Sequence, residues 1–323
     1  GGIGGSKKAF NLTVKYANGR QQFKTPISQF NLTKEKLATL ASEIYATESS
    51  VYRTVGLYED SMGKMSKEDL NDGHKVAAAV AEYAIECSLN KVFASETLDH
   101  VVDEGVQIHG GYGFMQEYEI ERAYRDARIN RIFEGTNEIN RLLVPGTYMR
   151  KALKGELPLF QQAQKLQEEL MMMMPEEPGT EPLAQEKYLV ANAKKITLLA
   201  IGLAAQKFGK ALDKEQEILV NIADMVSQTY AMESVVLRTE KAIQKEGLEK
   251  SKQKLLYTQI FCQEAFIKIE QDAKETLVAS EEGDALRMML SAFKKLTRYT
   301  PINVIPKKRE AAYKLIEAER FIV

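Results

Sequence analysis

Cysteine and histidine are scarce in this chain: 323 residues hold two cysteines and three histidines. Cys87 and Cys262 lie far apart in ordinary helical contexts. They read as reduced core residues, which excludes a disulfide framework or a metal knuckle. His74, His100 and His109 lack ligand spacing, so no metal is expected. Charge of either sign is not in excess. A formal net charge of -1 gives no global reason to expect a nucleic acid or an anionic membrane as partner. No apolar run reaches the length of a membrane span. The chain opens on GGIGGSKKAFNLTVKYA, without an initiator Met, signal or transit pattern. That opening reads as a helix already under way, and the expectation is a piece of a longer protein.

What is present is helical pattern. Hydrophobic residues make up 44% and charged residues 28%, the balance of a soluble globular protein with room for two modest domains. Apolar residues recur at helical spacing from Ala9 to Tyr16. They do so again from Lys34 to Leu57 (Leu37, Leu40, Ile44, Val51) and from His74 to Glu104 (Ala77, Val80, Ala84, Cys87, Val92). Another helix starts near Asn137, and Pro145-Gly146 predicts a kink or break in it near Val144. Ile218, Ile222, Met225, Thr229, Met232 and Val236 step alternately by four and three, a bundle seam that Leu255, Cys262, Phe266 and Ile269 continue. Two shorter helices follow, around Ala285 to Leu296 and Lys308 to Glu319. The fold class expected is all-α: a four-helix up-and-down bundle over residues 1–156, a flexible linker over 157–182, and a second helical bundle over 183–323.

The linker reading rests on LPLFQQAQKLQEELMMMMPEEPGTEP, which offers one or two amphipathic turns and then a Pro/Gly/Glu breaker cluster. Its Met171 to Met174 tetrad invites a membrane reading. Seven Glu against one Lys between Glu156 and Glu186 argue against contact with an anionic surface. A mobile segment is expected instead.

The chemistry concentrates between Gln107 and Arg141, QIHGGYGFMQEYEIERAYRDARINRIFEGTNEINR. Gly110, Gly111 and Gly113 end a helix and bare the backbone to another molecule. No strand precedes them and no GK[ST] follows, so they are not a dinucleotide or P-loop fingerprint. Further on, Ile132-Phe133 precede Glu134-Gly135, and Thr136 or Asn137 caps the next helix. At that place the helix N-terminus favours a charged carboxylate and the apolar neighbours favour a neutral one. A general base for a weakly acidic carbon needs such a tunable, desolvated position. Arg122, Arg125, Asp126, Arg128 and Arg131 read as an ion-pair network holding the site turn, not as a nucleic-acid stripe.

QIHGGYGF, YRDARI and FEGTNEI, in this order and spacing, resemble the second signature of the acyl-CoA dehydrogenase family. The stretch Arg20-x-x-Phe23, Pro26-Ile27 resembles its RxxFGxPI segment, with Lys24 standing where glycine is usual and widening the turn. KEQEILVNIADMVSQTYAMESVVLRTEKAI and FCQEAFIKI resemble the extra C-terminal helical domain of the very-long-chain subgroup, whose members are dimers. Together the resemblances cover nearly the whole chain. They imply an FAD-dependent α,β-desaturation of an acyl-CoA thioester, with Glu134 as the base that removes the pro-R α-proton. The backbone N–H of Glu134 would serve the thioester carbonyl, and Gly135 would lie against the thioester. Arg20, Phe23, Gln107, Gly110 and Gly111 would contact the adenosine diphosphate side of an FAD held mainly by a partner subunit. Thr136 and Glu138 would contact the FAD of the same active site. An electron-transfer flavoprotein is the implied electron acceptor, and a homodimer the implied assembly. The expected location is a bacterial cytoplasm in preference to a mitochondrial matrix. The fragment alone is expected to be inactive. A catalytically silent assembly homologue and an acyl-CoA oxidase are the competing readings.

Overall fold

The computed structural model describes residues 1–172 and 177–323. Met173 and Met174 of the methionine tetrad lie outside the described residues. The first half of the chain carries α1 (Gly2–Gly19), the ladder β1 (Gln21–Gln22) and β2 (Thr25–Pro26), then α2 (Asn31–Gly63), α3 (Lys67–Leu70), α4 (Gly73–Glu82), α5 (Ala84–His109), α6 (Glu119–Arg128) and α7 (Asn137–Leu153). The second half carries α8 (Leu159–Met172), α9 (Ala184–Phe208), α10 (Gln216–Glu246), α11 (Lys252–Ser280), α12 (Gly283–Leu296) and α13 (Val304–Ala318). Among the described residues the regular structure is helical apart from that antiparallel ladder, two residues to a strand.

Helices α1, α2, α5 and α7 pack side by side with α6 laid across α5 and α1. Helices α9, α10 and α11 form the centre of the second half, with α8, α12 and α13 outside them. One apolar cluster runs through both halves, from Ala9 to Phe321. Helix α2 joins them, packing on α1 and α5 on one side and on α10, α11 and α13 on the other. Its Leu37, Leu40 and Ile44 are fully buried, as their spacing predicts. The seam Ile218, Ile222, Met225, Thr229, Met232 and Val236 is buried over the first two thirds of α10. Where α2, α10 and α11 meet, a short polar chain crosses the apolar core. The Tyr45 hydroxyl meets Thr239 Oγ1 at 2.9 Å, which meets Thr258 Oγ1 at 2.7 Å. Buried hydroxyls that satisfy one another avoid the cost of lost hydration.

Several elements differ from the sequence reading. The helix placed over His74 to Glu104 is two, parted at Tyr83. Ala77, Val80 and Cys87, read as core, are exposed, whereas Cys262 is buried as expected. Helix α7 continues through Pro145 with no interruption near Val144. Val144 there is fully buried against Ile85, Leu89 and Ala223, and that packing on α5 and α10 offsets the missing amide donor. The amphipathic turns expected after Leu157 make a full helix, α8, whose Leu159, Ala163, Leu166 and Leu170 are buried. Lys24 does not widen its turn: Phe23 (φ 50°) and Lys24 (φ 63°) close a tight two-residue hairpin, both in the left-handed region. Finally, the stretch Ala184–Lys214 is long and apolar enough to cross a membrane by length and composition, contrary to the sequence reading, but 72% of its most apolar window is buried inside the protein. It is a core helix.

Charge is also buried between the halves. Burial, followed by the neighbouring Asp224 and Glu275 carboxylates, pushes Asp272 of α11 up to about 7. The folded chain therefore holds a proton that the unfolded chain releases at lower pH, so this group's contribution to stability falls as pH rises from about 4 to about 7. Asp272→Asn should raise the melting temperature relative to the parent chain at pH 8 and change it least at pH 4. Thermal unfolding followed by circular dichroism at the two pH values measures this. An equal effect at both would refute it.

Candidate active site

Glu134 and Gly135 lie between a 3₁₀ turn, Ile129–Arg131, and the start of α7. Both take left-handed backbone, at φ 56° and 77°. Glycine adopts this at no cost, but for glutamate it is strained. A side chain at position 135 would also press on Asn140, whose Nδ2 would stand 3.1 Å from the added Cβ. Asn140 fixes the turn from within: its amide donates to the carbonyls of Glu134, Gly135 and Thr136 at 3.2, 2.9 and 3.1 Å. Thr136 caps α7, its hydroxyl accepting from the Ile139 N–H at 3.3 Å. Glu138 sits in the first turn, and its carboxylate is held below its usual range by its own backbone N–H and by the Thr136 hydroxyl. The Glu134 carboxylate is exposed, and its neighbours Ile132 and Phe133 are each 48% exposed.

Beneath the turn lies a polar network that the sequence did not suggest. Asn137 is buried, and its amide joins Ser95 Oγ at 3.0 Å and Glu96 Oε1 at 3.1 Å. Lys91 Nζ donates to Gly135 O and to Asn137 Oδ1, both at 2.7 Å. Arg141 grips Glu96 with both terminal nitrogens, at 2.7 and 2.8 Å, and reaches Asp224 of α10 through Nε at 2.7 Å. Arg131 meets Asp99 at 3.3 Å, while Arg125 makes only a loose exposed pair with Glu121 at 3.8 Å, so the arginine run braces the turn mainly through Arg131. Lys91, Ser95 and Asp99 repeat every four residues on α5, so their common face was legible in retrospect.

The glycine loop forms a separate site. Arg20 ends α1, its guanidinium 5.5 Å from the Tyr112 ring centroid. Arg20, Gly110, Gly111, Tyr112, Tyr16 and His109 line a groove of about 500 Å³. Tyr16 stacks on His109 with centroids 4.0 Å apart, and burial pushes the imidazole below its usual range. An added Cβ at Gly110 or Gly111 would meet nothing within 4 Å, so the backbone there is open to a ligand. A cation, bare amides and aromatic faces suit a phosphate joined to a planar ring. Phe23 is 89% exposed at the hairpin tip and packs edge-on against Phe30. Neither it nor the exposed Gln107 lines this groove.

Family models described as "Acyl-CoA dehydrogenase, C-terminal domain" match residues 1–146 and, in a second model, 192–295. The chain is 70% identical over its full length to the "Probable acyl-CoA dehydrogenase" of Bacillus subtilis (strain 168), of which it covers 54%. The chain belongs to the acyl-CoA dehydrogenase family. A crystal structure of an acyl-CoA dehydrogenase from Bacillus anthracis complexed with FAD superposes on the whole chain with a TM-score of 0.97 at 70% identity, the chain covering 55% of it. The mitochondrial very long-chain specific acyl-CoA dehydrogenase of Rattus norvegicus is 40% identical over 143 residues, 44% of this chain and 19% of that protein. The chain thus spans about half the length of its bacillar relatives, and both its helical halves are of a kind found in this family.

Arg141 is the joint between those halves. Arg141→Met would leave Glu96 and Asp224 facing each other without their cation. Fully buried pairs broken on one side cost about 3–5 kcal/mol and exposed pairs up to about 1 kcal/mol. At this half-buried position we expect a loss of about 2 kcal/mol in urea unfolding, and a loss below about 0.5 kcal/mol would show that the pairs are solvated.

Proposed function

We propose that this chain is the C-terminal part of an FAD-dependent acyl-CoA dehydrogenase that desaturates fatty acyl-CoA thioesters between Cα and Cβ. The observation that carries the reading is the strained Glu134-Gly135 turn. It brings one carboxylate to the surface directly after two half-exposed apolar residues, Ile132 and Phe133, and is braced by Asn140. In this reading Glu134 accepts the α-proton. Its backbone N–H lies at a helix start and donates to the thioester carbonyl, so enolate-like charge gathers where a donor is fixed. Gly135 leaves room for the thioester to pass close. The half-exposed Ile132 and Phe133 exclude water around the carboxylate once the rest of the site covers them.

The groove fits FAD. Arg20 would hold the diphosphate, and the open backbone of Gly110 and Gly111 would receive the adenosine end, with Phe23 and Gln107 at its margins. Thr136 and Glu138 would face the flavin side. Bound FAD supplies the acceptor for the β-hydrogen, which leaves as hydride. Lys91, beside the turn, and Gly110 stand about 28 Å apart along α5, at about 1.5 Å per residue. The two sets of residues therefore serve two different FAD molecules in a homodimer, one held by each end of the helix. Electrons pass on to an electron-transfer flavoprotein, and the setting is the bacterial cytoplasm.

Glu134→Gln in the full-length enzyme tests this. The amide keeps volume and polarity but cannot accept a proton. FAD should remain bound while anaerobic flavin reduction by an acyl-CoA falls by a factor of about 10³ or more. Near-native reduction would place the base elsewhere.

A further inference from the structure

The residues beneath the catalytic turn form one unbroken chain of polar contacts. It starts on α10 at Asp224, passes through Arg141 to Glu96, through Asn137, and ends at Lys91, whose ammonium holds the Gly135 carbonyl. No link exceeds 3.1 Å. Each member has a steric or electrostatic reason to stay put. The side chain of Arg141 is only 16% exposed and faces two carboxylates. Asn137 is 2% exposed and uses both ends of its amide. Lys91 is partly exposed; burial pushes its ammonium below its usual range, and the carboxylates of Glu138, Glu96 and Glu134 favour its charged form. A cation drawn into that position must be held by what it touches, and it touches the backbone of the turn.

We propose that Lys91 is a positioning residue for the Glu134 turn, its ammonium pinning the Gly135 carbonyl so that the left-handed Glu134-Gly135 backbone is the stable form. The reason is geometric. A glutamate at φ 56° relaxes toward ordinary backbone unless its surroundings over-determine it. Asn140 binds the turn's carbonyls from within α7 itself, so it moves with that helix. Lys91 is on α5 and fixes the turn relative to the rest of the protein. Asp224 and Arg141, through Glu96, keep α5 and α7 in register, which brings the second helical half into the support of the site.

The proposal rests on Glu134 being the base, and the test separates the two claims. Full-length, FAD-containing enzyme is prepared as Lys91→Met, Lys91→Arg and Glu134→Gln, and the single-turnover rate of flavin reduction and the affinity for a non-reducible acyl-CoA analogue are measured separately. Lys91→Met should lower the reduction rate by about tenfold to a hundredfold, the loss typical of a misplaced reacting group. FAD content should stay within about twofold of the parent, because the groove at Arg20 and Gly110 is untouched, and any loss of analogue affinity should be smaller than the loss of reduction rate. Lys91→Arg, which keeps a cation and several donors, should recover most of the rate. An unchanged reduction rate in Lys91→Met, beside an inactive Glu134→Gln, would overturn the positioning role and leave the base assignment standing. Failure of Lys91→Met to fold or retain FAD, with Lys91→Arg as slow as Glu134→Gln, would overturn it too. Activity in Glu134→Gln would instead remove the reading on which the proposal rests.

Discussion

The interaction on which the rest depends is a guanidinium shared by two carboxylates at the meeting of three helices. Arg141 of α7 binds Glu96 of α5 with its two terminal nitrogens and Asp224 of α10 with its third. A planar fork satisfies both partners without competing donors, which lysine could not do. Burial pushes the Asp224 carboxyl up while Arg141 draws it down, so the pair is worth less than its short contacts suggest. Its value is in direction. Removing α7 leaves both carboxylates without their cation, and displacing α5 or α10 takes one of its two partners from Arg141, so the shared guanidinium favours one relative placement of the three helices. The turn at Glu134 inherits that placement because Asn137 and Lys91 hang from the same network.

The second constraint is the length of α5. One unbroken helix carries the brace of the Glu134 turn near one end and the His109 to Tyr112 loop at the other. A rigid rod of this kind cannot bend the two sites toward a single small ligand. Both sites also expose apolar side chains: Ile129, Ile132, Phe133 and Ile139 about the turn, and Phe114, Met115 and Phe23 about the groove. Exposed apolar side chains occur on other faces as well, Leu32, Leu153, Ile267 and Ile305 among them, so it is their adjacency to polar groups that sets these two places apart.

How much of this was legible in the sequence follows the range of the interaction. The FEGTNEI turn, its Thr136 cap and the glycine loop are local: their conformation is set by residues within a few positions, and they were read correctly as turn, cap and helix end. The seam of α10 was legible because burial on one face repeats along a helix. Arg20 and Gly110, far apart in sequence, line one groove, whereas Phe23 and Gln107, grouped with them by the family resemblance, do not. What the sequence did not yield is non-local. Lys91 meets Gly135 across 44 positions and Arg141 meets Asp224 across 83. No periodicity records such a pairing. Pro145 and Cys87 misled for the opposite reason: local rules were applied where tertiary packing decides. Val144 packs a proline-bearing helix, unbroken at that point, against two neighbours, and Cys87 falls on the outer face of α5.

The strained turn joins these points. A left-handed glutamate costs about 1–2 kcal/mol over an ordinary backbone, and a sequence under selection for stability alone would relax it. Here two donor groups hold it through four contacts: three from the Asn140 amide and one from the Lys91 ammonium. Those contacts all fall on carbonyl oxygens of residues 134 to 136, and carbonyls committed inward leave the outward side of the turn to side chain 134 and its backbone. The network thus fixes the backbone from which the Glu134 carboxylate projects outward. On the proposed reading, that division, polar support for the backbone below and an apolar rim at Ile132 and Phe133 above, is what a base acting on a carbon acid requires: the support would place the turn before substrate arrives, and the rim would set how dry the carboxylate becomes once the site is covered.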